Sequence, residues 1–237
     1  MCGRFTLTAS AEIIADTFDL TAPPEVKPRY NIAPSQPVVA IIASDSASRE
    51  ASYFRWGLVP FWAKDPKIGY RLINARSETV AEKPAFRQAF ARRRCLIVAD
   101  GFYEWQVKEG QKQKQPFYFY PQDHQPFGFA GLWERWQSPE GEETLSCTIL
   151  TGAANEVVEP VHHRMPIVIR REDYDQWLDA ARWSQGTGHG PTPLELQDLI
   201  ATSQLNNLVA HPVSTAVNSP RYDQPECVEQ VAALNSK

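Results

Sequence analysis

The sequence predicts a single α+β domain, a strongly curved antiparallel sheet or open barrel with helices at its edges. Two observations carry this. From Cys95 to Thr151 the chain contains CLIVAD, FYEWQV, PFYFY, FGFAGLW and TLSCTILT, short apolar runs separated by polar turns rich in Gly, Gln, Asp and Glu, which is the pattern of closely spaced strands. The 19 prolines are scattered as turn punctuation over 237 residues, with no repeat, low-complexity tract or linker composition that would divide the chain.

Taken in order, Ile13, Ile14 and Phe18 in SAEIIADTFDL space as the apolar face of a short amphipathic helix. TAPPEVKPRYNIAPSQP reads as a proline-rich loop, PVVAIIA as a strand, and SYFRWGLVPFW as a strand running into a loop. Glu78 to Arg93 reads as a helix, with Thr79 and Glu82 at capping-box spacing and Pro84 near its first turn. Beyond the strands, helices are expected around Glu172 to Ala181 and Pro193 to Ala201, flanking the polar insert WSQGTGHGPTP.

Hydrophobic residues make up 43% and charged residues 22%, which disfavours disorder, collagen-like repeats and coiled coil. No apolar run approaches the roughly 20 residues that span a bilayer, and MCGRFTLTAS lacks the basic-then-apolar pattern of a signal peptide. A soluble, cytoplasmic monomer is expected. Cys2, Cys95, Cys147 and Cys227 stand far apart with no histidine at ligand spacing, so they read as free thiols and no metal site is signalled. The net charge of −4 argues against a nucleic-acid binder, but residues 55–114 carry 13 Lys/Arg against 6 Asp/Glu and the remainder 11 against 22. A basic face on an acidic body follows, unless Arg92, Arg93, Arg94, Lys108, Lys112 and Lys114 are only solvated turns.

Cys2 is the first candidate for chemistry. Removal of Met1 would leave an α-amine and a thiol on one residue, the amine with a reference pKa near 7.7 to 8.0 and so substantially neutral at physiological pH, the thiol near 8.5 and needing little help to ionise. That pair can condense with an aldehyde and close a five-membered thiazolidine, or attack an amide with the amine as its own base. Gly3 allows close backbone approach and Arg4 offers a cation.

Other segments set polar residues among apolar ones. In LINARSET, Asn74 and Arg76 share one face of a strand. In ADGFYEW, Glu104 lies between Tyr103 and Trp105, where desolvation would raise its pKa toward acid/base work. EPVHHRMPIVI places His162, His163 and Arg164 before an apolar run, and strand alternation admits only one of the histidines to a given site. In WGLVPFW, Trp56 reads as core and Trp62 as a surface on which a base can stack.

In this order, MCGRF, YNIAPS, WGLVPFW, LINARSET, ADGFYEW, AGLWE, HHRMP and HPVSTAVNSP resemble the SRAP family, from Cys2 to about Pro225, with 226–237 as a tail. The resemblance implies a sensor that captures abasic sites of single-stranded DNA as a covalent DNA–protein crosslink. It implies that Cys2 forms a thiazolidine with C1′ of the ring-opened sugar and that Asn74 orients the sugar or Cys2. Glu104 would orient and deprotonate the α-amine, and His162 would be the acid/base in ring opening and imine formation, with His163 mattering less. Arg4, Arg76 and Arg164 would grip phosphates, Pro34 and Thr151 would line the strand's path, and Trp62 would stack beside the lesion. No cofactor is implied, because aldehyde, acid, base and nucleophile are all supplied by substrate and chain. The competing reading is an N-terminal-nucleophile cysteine peptidase or amidohydrolase, and a third is a noncovalent single-strand binder in which Cys2 is incidental.

Overall fold

A computed structural model describes residues 2–44, 48–107, 113–178, 191–203, 205 and 207–233. Met1, Lys108, Lys112, the end of the helix expected to reach Ala181 and most of the insert WSQGTGHGPTP lie outside the described residues.

The centre is a five-stranded barrel. Strand β3 (Pro37–Ala43) runs antiparallel to β4 (Arg49–Trp56) along its full length, from Pro37 opposite Arg55 to Ala43 opposite Arg49. It also pairs with β6 (Arg94–Ala99), β6 pairs with β9 (Phe127–Gln137), and β9 pairs with β10 (Glu143–Ala153). Strand β10 then returns to β4 in parallel, Ser146 beside Arg55 and Cys147 beside Trp56, and closes the ring. The expected antiparallel sheet is therefore a closed barrel with one parallel seam. At 11 residues each, β9 and β10 are long enough to serve neighbours on both sides. Further along, β10 holds β5 (Asn74–Arg76) in parallel and β11 (Arg164–Pro166) antiparallel, and β9 holds β12 (Val168–Ile169).

A second, five-stranded sheet is built from β1 (Phe5–Leu7), β2 (Arg29–Ile32), β7 (Gly101–Gln106), β8 (Gln115–Pro121) and β13 (Leu208–Pro212), in the order β13-β8-β7-β1-β2. An aromatic cluster joins it to the barrel. Phe5 meets Trp56 and Phe129 edge-on at 5.1 and 5.8 Å, and Phe102 stacks on Phe119 at 5.1 Å. All five rings are buried, each contributing about 1.5–3 kcal/mol of burial, so β1 has little freedom to shift against the barrel.

Asp100 completes the anchoring of β1. Its carboxylate accepts from Thr6 Oγ1 at 2.5 Å, Thr8 Oγ1 at 2.7 Å, Ala9 N at 2.9 Å and the Thr8 amide. Replacing Asp100 with Ala leaves these donors without their acceptor, and is expected to cost roughly 3 kcal/mol of stability or more. The midpoint of urea unfolding measures it.

Several sequence expectations change at the boundaries. Helix α1 (Ala11–Phe18) forms as read, capped by Ser10 and ended by Asp19 in the left-handed region at φ 53, but Ile13 faces solvent while Ile14, Thr17 and Phe18 are buried. RYNI in the expected loop is β2, because the edge of β1 takes a partner there. The expected helix over 78–93 is helical only in α2 (Arg87–Arg92), preceded by a 3₁₀ turn at Ser77–Thr79 and by turns through 80–86. Pro84, with no amide hydrogen, interrupts the ladder. Helix α3 (Tyr174–Leu178) follows a 3₁₀ turn, and α4 (Pro193–Thr202) opens on a capping box between Thr192 and Glu195.

The basic run also resolves into structure. Arg94 is buried and donates to the carbonyls of Trp177, Phe90 and Ala91, and Arg93 pairs with Glu134 at 2.7 Å. These two cations hold α2 and α3 against the barrel, and neither is a solvated turn.

Candidate active site

Strand β1 lies between β2 and β7, with Phe5 opposite Phe102 and the Tyr103 amide donating to the Arg4 carbonyl at 3.1 Å. The ladder thus lays residues 2–4 along the Glu104 end of β7. Cys2 is fully buried there, its Sγ directed at the Arg4 carbonyl 3.6 Å away. Burial, and secondarily the Glu104 carboxylate, push its thiol pKa far up. The readily ionising thiol expected from the sequence is not what the fold gives. In place it is protonated at neutral pH, because residue 2 lies inside the domain rather than on a free terminus.

Asn74 comes to Cys2 from the other sheet. Strand β5 pairs in parallel with β10, Asn74 beside Ile149, and its Nδ2 donates to the Cys2 carbonyl at 2.8 Å. Its Oδ1 is buried with no hydrogen-bond partner among the described residues, an acceptor left over inside the site.

Glu104 on β7, opposite Phe117, is 2% exposed, and burial raises its pKa. The positive fields of His163 and Lys114 act in the opposite direction. His162 is half-buried. Its Nδ1 lies 3.0 Å from both the amide nitrogen and the carbonyl oxygen of Arg164, and its ring stacks on His163 at 4.5 Å. Burial, followed by the Lys114 and Arg164 cations, lowers its pKa, so it is a neutral imidazole at pH 7. The sequence singled out Cys2, Asn74, Glu104 and His162. Hydrogen bonds and electrostatic fields link Cys2 to Asn74 and to Glu104, and His163 and Lys114 join through their field on Glu104. Strand alternation admits only one of the two histidines to a site, yet the two imidazoles stack because the chain turns before β11 begins.

Trp56 ties together the segments leading to β5. It is buried, as read, and its Nε1 donates to the Ile73 carbonyl at 2.9 Å, just before β5. Its carbonyl accepts from Ser35 at 2.7 Å, which ties down the turn of Pro34 and Ser35, the latter at φ 72. The next residue, Gly57, has φ +128, and a Cβ there would lie 2.7 Å from the Gly69 carbonyl oxygen. Only glycine permits that contact, which pins the aromatic loop onto the 3₁₀ helix Pro66–Arg71. Trp136 Nε1 holds the loop's far side through the Ala63 carbonyl at 2.7 Å. On this anchored loop Phe61 and Trp62 are 50% and 48% exposed.

The expected phosphate contacts divide. Arg76 is exposed on the same face of β5 as Asn74. Arg4 is partly buried, with Nη1 donating to the Gly3 carbonyl at 2.7 Å and Nε buried without a partner among the described residues. Arg164 is committed: Nη1 and Nη2 donate to the two Glu78 oxygens at 2.8 and 3.0 Å, and Nη2 to the Thr151 carbonyl at 2.5 Å. Thr151 is fully buried. It stands behind Arg164 as a support and does not line an open path. Glu78 is the residue that sequence reasoning missed. It was absorbed into an expected helix, where a surface carboxylate carries no signal.

All four cysteines are free and buried. No helix among the described residues is long and apolar enough to cross a membrane.

A family model described as SOS response associated peptidase (SRAP) matches residues 1–220. The chain is 40% identical over 232 residues to the abasic site processing protein YoqW of Bacillus subtilis, covering 97% of this chain and 99% of that one. It is 33% identical over 241 residues to the abasic site processing protein HMCES of Xenopus tropicalis, covering 89% of this chain and 68% of the relative. Among solved structures, a Bacteroides thetaiotaomicron protein superposes with a TM-score of 0.83 at 24% identity, over 98% of this chain and all of the other, a likeness of fold. A Bordetella bronchiseptica protein superposes at 0.73 with 27% identity, over 90% of this chain and all of the other.

Proposed function

Because the chain belongs to the SOS response associated peptidase (SRAP) family, we propose that it processes abasic sites in single-stranded DNA by capturing them covalently on Cys2. It does so as a cytoplasmic monomer and without a cofactor. The observation that carries this reading is the Asn74 hydrogen bond to the Cys2 carbonyl, which holds residue 2 beside the buried Glu104 carboxylate. The names of the curated relatives supply the substrate class.

Removal of Met1 exposes the Cys2 amine. In the ring-closed abasic sugar the aldehyde is masked, and the His162 imidazole exchanges a proton with the sugar oxygen as the ring opens. Glu104 takes a proton from the Cys2 ammonium, whose nitrogen lone pair then adds to C1′. Loss of water leaves an imine. The thiol adds across it: the Sγ–C1′ bond forms, the C=N π pair goes to nitrogen, and the sulfur proton ends on that nitrogen. The product ring is Sγ, Cβ, Cα, N and C1′. A protonated thiol is the suitable resting form, since it delivers the proton this step consumes. Asn74 Oδ1 is left to accept from a sugar hydroxyl.

Arg76 and Arg4 meet phosphates, and Trp62 with Phe61 stacks on a base next to the lesion. Trp62→Ala is expected to weaken binding of an intact single strand by about 1–3 kcal/mol, read by fluorescence anisotropy, with the folded stability unchanged.

The reading is tested by mixing the protein with single strands that differ only in one abasic site and separating the products on a denaturing gel. A heat-stable shifted band confined to the abasic strand is expected. Equal shifts with both strands, or none with protein lacking Met1, would reject the reading.

A further inference from the structure

We infer that Glu78 is a specificity-determining residue, a carboxylate that occupies the guanidinium fork of Arg164 in the DNA-free protein and must leave it before that arginine can hold a phosphate. The inference rests on the reading of this face as a single-strand binding surface.

The geometry is that of a bidentate pair. Arg164 Nη1 and Nη2 reach Glu78 Oε1 and Oε2 at 2.8 and 3.0 Å, the parallel arrangement in which a guanidinium also takes two phosphate oxygens. The two partners are held unequally. The Arg164 side chain is 11% exposed, and its Nη2 is fastened from behind by the carbonyl and hydroxyl of Thr151 at 2.5 and 3.3 Å. The Glu78 side chain is 53% exposed and stands on a one-turn 3₁₀ segment. The cation is therefore a fixed part of the site and the carboxylate is the mobile one.

Hydrogen bonding from Arg164 keeps the Glu78 carboxyl below the usual carboxylate range, so it is charged at neutral pH. Position adds a second reason. Glu78 lies two residues after Arg76, and Thr151 is the register partner of Arg76 across the β5–β10 pairing. The carboxylate thus covers one cation at the edge of the strip whose other cation is open.

The Glu78 side of the pair is open to water, so a phosphate can displace the carboxylate, but each encounter with DNA must supply that exchange. Intact single strands, which gain nothing covalent afterwards, are held less tightly. An abasic strand, once captured on Cys2, is retained whatever the noncovalent affinity. The pair therefore raises the ratio of capture to idle binding.

The test is binding of an intact single-stranded oligonucleotide by fluorescence anisotropy over a range of salt, with wild type, Glu78→Gln, Arg164→Ala and the double variant. Glu82→Gln, another exposed acid of the same segment, controls for removing one negative charge. Glu78→Gln should bind roughly two- to five-fold tighter than wild type. The plot of log affinity against log salt should steepen by about 0.7, one further phosphate on a single strand. Glu82→Gln should change both less, and the gain should vanish in the Arg164→Ala background. Unchanged or weaker binding by Glu78→Gln would overturn the inference, the weaker case making Glu78 a brace for Arg164. An equal gain without Arg164 would overturn it too. Capture of an abasic strand by the wild type, run in parallel, separates the two failures. If capture occurs while Glu78→Gln binds as wild type does, only this inference falls.

Discussion

Cys2→Ala protein, with Met1 removed, is expected to give no heat-stable product with an abasic strand, a complete loss against the wild type. The reason lies in the bond count. The α-amine of the variant can still condense with the aldehyde, but the imine has no thiol to close on it and hydrolyses back. Adding borohydride during the reaction should therefore recover a crosslink from Cys2→Ala, by reducing the imine to a stable amine, with no such requirement in the wild type. The folded protein should tolerate the change, because alanine fills most of the space of a small buried thiol and the Asn74 contact is to the backbone. Noncovalent affinity for intact DNA should stay within about two-fold. A heat-stable Cys2→Ala adduct without reductant would show that another nucleophile is in use.

Glu104→Gln should slow capture by about 10²–10⁴-fold, the usual contribution of a positioned acid or base, while raising stability at neutral pH. Both effects follow from burial. The Glu104 carboxyl ionises at a higher pH in the folded protein than in the unfolded chain. The native state therefore loses stability as pH rises from the ordinary carboxylate range through this raised value. Gln carries no such charge. The melting temperature of Glu104→Gln should exceed that of wild type at pH 7, and the difference should shrink as pH falls below the ordinary carboxylate range. Wild-type capture should show an acid limb, at a pH above where an ordinary carboxylate titrates, that the Gln variant lacks. A residue that traded only packing for stability would not move that limb.

Much of this site was legible because its chemistry is local. Glu104 between two aromatics, Asn74 and Arg76 on one strand face, and Trp62 in a loop all follow from spacing, and the strands from CLIVAD to TLSCTILT follow from continuous apolar runs. What escaped depends on distant partners. RYNI became β2 because Asp223, far along the chain, accepts from the Tyr30 and Asn31 amides at 2.6 and 2.9 Å. Asn31 Nδ2 in turn faces the Ser219 and Tyr222 carbonyls at 3.0 and 2.8 Å. This pairing gives the HPVSTAVNSP segment and the residues after it their structural part. The parallel return of β10 to β4 has no signature in either strand. The Cys2 thiol was read from its position at a terminus, and its protonation is decided by the barrel and sheet that close over it. Arg94 looked like one of three surface cations and is a buried strut, since only the fold places three carbonyls around it.

The central claim is that residue 2 becomes bonded to the abasic sugar through both nitrogen and sulfur. The most direct measurement is intact mass of the product, followed by peptide mapping without reductant. The account predicts a mass equal to protein lacking Met1 plus the strand less one water, with the adduct on the peptide that begins at Cys2 and no free thiol at that residue. A modified residue elsewhere, or an adduct whose Cys2 thiol still alkylates, would contradict it.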